Sequence, residues 1–328
     1  MLSRVADSIY WLSRYVERAE NVARFIDVNL QLMLDIGAGA AQQWQPLVDT
    51  TGDREVFNRR YPEPSQANVI QFLTFDPGNP NSILACLRAA RENARSVREI
   101  ISSDMWLQLN KFYLMVQSAA SEPRIFRAPY DFFHEVKLAS QSFDGITDAT
   151  MSHAEAWNFA RLGRMLERAD KTSRILDVKY FILLPSADQV GSAVDDIQWA
   201  AVLRSASAFE MYRKRHGRIS PRGVVDFLLL DPQFPRAIRF CLLAARDSFH
   251  AISGTPSGTF RHPPEKLLGQ LCADLAYVSV DDIIDRGPHE YFDELQTKMN
   301  HLGMGIFETF FAVRTPIQPR RNARSPGQ

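Results

Sequence analysis

Cysteine is scarce in this chain of 328 residues. Cys86, Cys241 and Cys272 are the only three, and none forms a CxxC pair or a Cys/His cluster. Neither a zinc site nor a disulfide framework is therefore expected, and a reduced, cytoplasmic setting fits best. Charge of one sign is also missing, since 38 Lys and Arg balance 38 Asp and Glu. A general binder of nucleic acid or of anionic membrane needs a basic surplus, so neither partner is expected. No stretch is apolar for the length a membrane-spanning helix requires. The opening residues, MLSRVADSIYWLSRYVERAE, carry charge every few positions and lack the apolar region of a secretory leader. Alternating apolar and polar runs are nearly absent, so no strand is called for. GxSxG, P-loop, glycine-rich dinucleotide and HExxH motifs do not occur. What the chain does have is apolar material, at 45% of residues with 11% aromatic, enough for a large core and too much for wholesale disorder.

The chain also repeats itself. LSRYVERAENVARFIDV begins at Leu12 and LGRMLERADKTSRILDV at Leu162, and eight of 17 positions are identical. A second pair begins at Val69, VIQFLTFDPGNPNSILACLRAAR, and at Val224, VVDFLLLDPQFPRAIRFCLLAAR. Asp76-Pro77, Pro80, Cys86 and Arg91 recur there as Asp231-Pro232, Pro235, Cys241 and Arg246. The same elements in the same order predict a multi-helix, all-α bundle of roughly ten to twelve helices. Two pseudo-repeated halves, 1–150 and 151–313, would share one core about an approximate twofold. Residues 314–328, with three prolines and four arginines, read as a disordered basic tail.

Local signals are helical. Ile9, Leu12, Val16, Ala19, Ala23, Ile26, Leu30 and Met33 follow helix spacing, and Tyr10, Trp11, Tyr15, Val22 and Phe25 widen the stripe almost to the full circumference. The helix carrying them should sit centrally and end at Gly37 and Gly39. Asp76-Pro77 opens a turn, and Asn79-Pro80 reads as the cap and first residue of a helix running to about residue 102.

On this central helix Glu17, Glu20, Arg24 and Asp27 fall within an arc of about 80°, with Arg14 and Arg18 beside them. Glu167, Asp170, Arg174 and Asp177 repeat the arc, flanked by Arg164 and Arg168. Three readings are open: intrahelical pairs on a solvated face, pairing of each helix with the other across the twofold, or a polar groove that binds a partner. Arg91 and Arg246 are expected to reach these carboxylates.

SIYWLSRYVERAENVARFIDV and RLGRMLERADKTSRILDV resemble the signature of the alpha-E domain family, bacterial all-helical proteins named for a Glu-Arg motif. Here that motif is Glu17-Arg18 and Glu167-Arg168. The resemblance runs from Met1 to about Val313 and takes in the DPxxP blocks and GPHEYFDELQ at Gly287. It implies a protein without established activity of its own. Such proteins are typically encoded beside, or fused to, a circularly permuted ATP-grasp peptide ligase and a transglutaminase-like peptidase. The implied role is that of a non-catalytic accessory or binding partner in such a system, without a cofactor.

Two other constellations could carry chemistry. Asp281, Asp282 and Asp285 form DDxxD, with which helical prenyltransferases hold magnesium and diphosphate. The alternative function is thus a magnesium-dependent helical enzyme, although a second acidic motif is missing and Ser279 with Asp282 reads equally as a capping box. Asp131 with His134 and Asp247 with His250 place ligand types one helical turn apart, without partner glutamates. Cys86 and Cys241 sit on apolar stripes, where a free cysteine fills space. A structural homodimer is a third class.

Overall fold

The first long helix, α1 (Ser3–Ile36), forms where apolar residues recur at helix spacing for 34 residues. The chain is described by a computed structural model covering residues 1–36, 44–122, 125, 129–181 and 193–312. The expected helix stop at Gly37 and Gly39 and the basic tail 314–328 lie outside the described residues. After α1 come α2 (Gln45–Thr51), α3 (Arg54–Arg60), α4 (Gln66–Thr74), α5 (Ile83–Ser96), α6 (Ser103–Ala119) and α7 (Pro129–Thr150). They are followed by α8 (Glu155–Phe181), α9 (Ala193–Ser205), α10 (Phe209–His216), α11 (Pro221–Val225) and α12 (Ile238–Ser253). The last are α13 (Pro263–Tyr277), α14 (Val280–Arg286) and α15 (Pro288–Ile306). Short π-helical stretches, Asp226–Leu230 and Phe307–Phe311, continue α11 and α15. Among the described residues there are 15 α-helices and no strand, so the chain is all-α. The count exceeds the expected ten to twelve because α2, α3, α11 and α14 span only five to seven residues. Apolar periodicity cannot show in so few positions.

Helix α1 is wrapped by α5, α7, α8 and α9, and α8 is wrapped in turn by α1, α12 and α15. Ile9, Tyr10, Leu12, Val16, Val22, Phe25 and Ile26 are all buried, which is why nearly the whole circumference of α1 is apolar. The two helices approach closely at Gly163, where a Cβ would collide with the Tyr10 carbonyl oxygen. One continuous core takes in side chains from Ala6 to Phe311, so it crosses residue 150 without a break.

The DPxxP segments are turns fixed from within. Asp76 Oδ1 accepts from Gly78 N at 2.8 Å, and Asp231 Oδ1 accepts from Gln233 N at 2.7 Å. Each carboxylate also takes an arginine from a preceding helix, Arg60 of α3 on Asp76 and Arg215 of α10 on Asp231. The expected helix start at Asn79-Pro80 is corrected: α5 begins three residues later, with Ser82 as its cap accepting from Ala85 N at 3.3 Å. Asn79 is spent on the turn, where its Oδ1 accepts from Asn81 N and its Nδ2 donates to the Phe72 carbonyl. The helix also ends early, at Ser96. Val97 and Ile101 continue the apolar rhythm through the following turn because they are buried, not because they are helical.

Candidate functional site

The close approach of α1 and α8 brings the Glu-Arg residues together in the interior. Glu17, Glu20 and Glu167 are 1% exposed or less, so these carboxylates do not lie on a solvated face. Pairing is reciprocal. Arg168 of α8 donates to Glu17 of α1 through Nε at 2.9 Å and Nη2 at 2.7 Å. Arg18 of α1 donates to Glu167 of α8 through Nε at 2.6 Å and Nη2 at 3.0 Å. Both are two-pronged guanidinium–carboxylate contacts, the geometry in which arginine pairs most strongly.

Around Glu17 the cluster extends through Arg236, which precedes α12. Its Nη1 donates to Glu17 Oε1 and to Asn21 Oδ1, each at 3.1 Å, and its Nη2 to Glu20 Oε1 at 2.6 Å. Glu20 also receives Arg24 Nε at 2.8 Å, one helical turn away, and the Ser140 hydroxyl of α7 at 2.9 Å. Asp144 of α7 closes this side against Arg164 at 3.1 Å and Arg168 at 3.4 Å. Around Glu167 gather Arg14, whose Nε donates at 2.8 Å, Arg18, and Lys171 at 3.7 Å. Lys171 also lies 3.2 Å from Asp170, which pairs with Arg174 at 3.0 Å. Asn81 completes this side by accepting from Arg18 Nη1 at 2.7 Å.

Burial alone would push these carboxyls up, but the cations outweigh it. Arg168 and Arg236 hold Glu17 well below the usual carboxylate range, and Arg18, Arg14 and Lys171 do the same for Glu167. Glu20 and Asp170 are lowered for the same reason. Asp144 goes the other way, because its burial outweighs Arg164 and Arg168. Each acidic group except Asp144 is therefore held as a charged, bonded carboxylate, poorly suited to take or give a proton near neutrality.

The other sequence candidates fall elsewhere. Asp27 pairs with Lys137 of α7 at 2.5 Å, and Asp177 with His289 of α15 at 2.6 Å, apart from both clusters. Arg91 does not reach the carboxylates as expected. Its Nε donates to Asn110 of α6 at 2.7 Å, and its guanidinium stacks on Trp106 and Tyr113. Arg246 likewise turns to its neighbour Asp247 at 3.2 Å. The residue that reaches in is Arg236, which sequence reasoning missed. It had a signal: it directly follows the second proline of its DPxxP turn, as Asn81 follows Pro80, and both positions bond the Glu-Arg helices.

Asp281 pairs with Arg222 of α11, its Oδ2 accepting Nη2 at 2.6 Å, while Asp282 forms a capping box with Ser279. Asp285 lies exposed on the same short helix. Asp131 and His134 are exposed, and His250 Nδ1 lies 3.1 Å from the Thr255 carbonyl. Among the described residues, no three His, Cys, Asp or Glu side chains gather as a metal site would require. Burial pushes the Cys86 and Cys241 thiols up to about 12, which leaves them un-ionised and unreactive. No helix among the described residues is long and apolar enough to cross a membrane.

A family model named Alpha-E, described as a predicted alpha-helical domain with a conserved ER motif, matches residues 1–311. Uncharacterised proteins of Mycobacterium bovis and of two strains of Mycobacterium tuberculosis are each 23% identical to this chain over 288 residues. That stretch is 82% of this chain but 31% of each relative, so the chain spans about a third of their length. No solved structure matches it.

Proposed function

We propose that this chain, which belongs to the Alpha-E family, is a non-catalytic accessory subunit that binds a circularly permuted ATP-grasp peptide ligase working with a transglutaminase-like peptidase. One observation carries this reading. The residues for which the family is named are consumed by one another, Glu17 by Arg168 and Glu167 by Arg18, with both carboxylates buried. Such a centre fixes how two helices cross and holds its glutamates as bonded carboxylates rather than as bases free to act on a substrate. The lengths agree with a module that works beside other domains, since the matching stretch fills 31% of the relatives. The identity of the partners comes from the family resemblance.

Within this reading, 1–150 and 151–313 are two copies of one helical unit about an approximate twofold. The reciprocal Glu-Arg pairs support this, as do the arginines that pin Asp76 and Asp231 from the preceding helix. The cysteine usage fits work in the cytoplasm. Co-expression of the tagged full-length chain with the ligase and the transglutaminase-like protein tests the proposal. The ligase is expected to stay with the tagged chain through gel filtration. Elution of the chain alone, or only as its own homodimer, would overturn it.

A further inference from the structure

Beside the Glu-Arg centre an open cleft of about 530 Å³ lies between the start of α1, the middle of α8 and the end of α15, a volume in the range of small-ligand sites. Its walls are aromatic and sulfur-bearing: Tyr10, Trp11, Phe307, Phe311, Met299 and Met304. Met304 and Phe307 are 55% and 51% exposed, an apolar patch left without cover. The π-helical stretch Phe307–Phe311 forms part of this wall, and such insertions into helices concentrate at functional sites.

Arg14 stands at the inner side. Its guanidinium lies over the Trp11 ring at 4.9 Å, with Nε on Glu167 at 2.8 Å and Nη1 on the Tyr10 hydroxyl at 3.2 Å. These bonds hold the group rigidly without using all of its five N–H donors. Nor is its charge cancelled, because Glu167 is shared with Arg18 and Lys171. Across from it Gly303 offers no side chain; a Cβ there would lie 3.9 Å from Arg14 Nη1, in van der Waals contact, so the missing side chain leaves about one methyl's width open over the guanidinium. Further acceptors line the cleft in Asp170, Asn300 and the exposed Glu308. Asp170 is already compensated by Lys171 and Arg174.

We infer that this cleft binds the C-terminal end of a peptide, its carboxylate on Arg14, its apolar side chains against the aromatic and methionine walls, and its backbone N–H groups on Asp170, Asn300 and Glu308. A simple fatty acid would satisfy the arginine and the walls but has no N–H donors for the acceptors. The inference goes beyond the partner reading and does not depend on it, because the site is complete within this chain.

Calorimetric titration of the full-length chain with N-acetyl-leucyl-phenylalanine, its C-terminal amide and octanoate tests the inference. The free acid should bind at least about tenfold more tightly than the amide, the loss of one charge-assisted contact. Octanoate should bind more weakly than the free acid. Gly303→Trp, which fills the space over Arg14, should abolish binding, and Gly303→Ala, whose methyl would meet Arg14 Nη1, should weaken it. Should Gly303→Trp fail to fold by circular dichroism, Phe307→Ala removes an exposed wall residue and should weaken binding several-fold. Equal binding of acid and amide, octanoate binding as tightly as the dipeptide, no heat with the free acid, or full binding by folded Gly303→Trp would each overturn the assignment.

Discussion

Two arginines depend on Glu167, and removing it strands them. Glu167→Ala leaves Arg14 and Arg18 around an apolar gap in the interior, while Lys171 keeps Asp170. Stability in urea should fall by about 3–5 kcal/mol, the usual cost of leaving buried charge without its partner. Glu17 and Arg168 touch directly, so a double-mutant cycle on them should give a coupling of about 1–3 kcal/mol, against nearly none for Glu17 with Arg91. These residues were legible in the sequence because two long helices carried opposite charges at matched places. Arg236 was not. Its counterpart Asn81 is uncharged, so the repeat that exposed the other arginines concealed this one. Arg91 misled for the converse reason: it recurs as Arg246, but recurrence does not say which way a side chain points, and both turn away from the carboxylates.

Helix boundaries were less legible than helix identities. The apolar stripes of α1 and α8 are long enough to declare themselves, whereas the start of α5, read at Asn79-Pro80, lies three residues further on, because Asn79 is spent on the turn. Ser82 makes the cap, so Ser82→Ala should cost about 1 kcal/mol in chemical denaturation. Another contact between elements depends on pH. The hydrogen bond to Asp177 of α8 raises His289, in the first turn of α15, above its ordinary value of 6.5. A group raised in the folded state adds stability that is complete below its unfolded pKa and is lost as pH rises through the folded one. The margin in Tm between the native chain and His289→Ala should therefore be larger at pH 6 than at pH 9. An equal margin at both would show that the docking of α15 on α8 does not depend on the imidazolium. The effect should be small, because the His289 side chain is 42% exposed.

For the whole molecule, the central α1–α8 crossing makes the core indivisible. Residues from both sides of position 150 belong to one apolar cluster, so no half can keep its interior when the other opens. That much followed from a helix apolar on nearly every side, which must be surrounded. How the surrounding helices are ordered did not follow, because α-helices of similar amphipathicity can exchange places without changing the pattern. The charged centre inside this core predicts how the molecule responds to acid. Glu17, Glu20, Glu167 and Asp170 are all lowered on folding, and Glu265, buried and bonded to Ser253 and to the Arg261 and His262 amides, is lowered to about 2. Groups lowered in this way add stability that is present above their unfolded pKa and lost as pH falls towards the folded one. Asp144 and Asp7, raised by burial, oppose them, but they are outnumbered by these five and by Asp76, Asp282 and Glu294, which are lowered too. The urea midpoint should therefore change little between about pH 5.5 and 6.5 and fall progressively below about 4.5, the ordinary value for a free glutamate. Circular dichroism and tryptophan fluorescence should report the same midpoint at each pH, because all five tryptophans share one core with the helices, Trp44 and Trp199 inside it and Trp11, Trp106 and Trp157 packed against it. Two separated transitions would show that the halves open independently and that the ion pairs between α1 and α8 do not couple them.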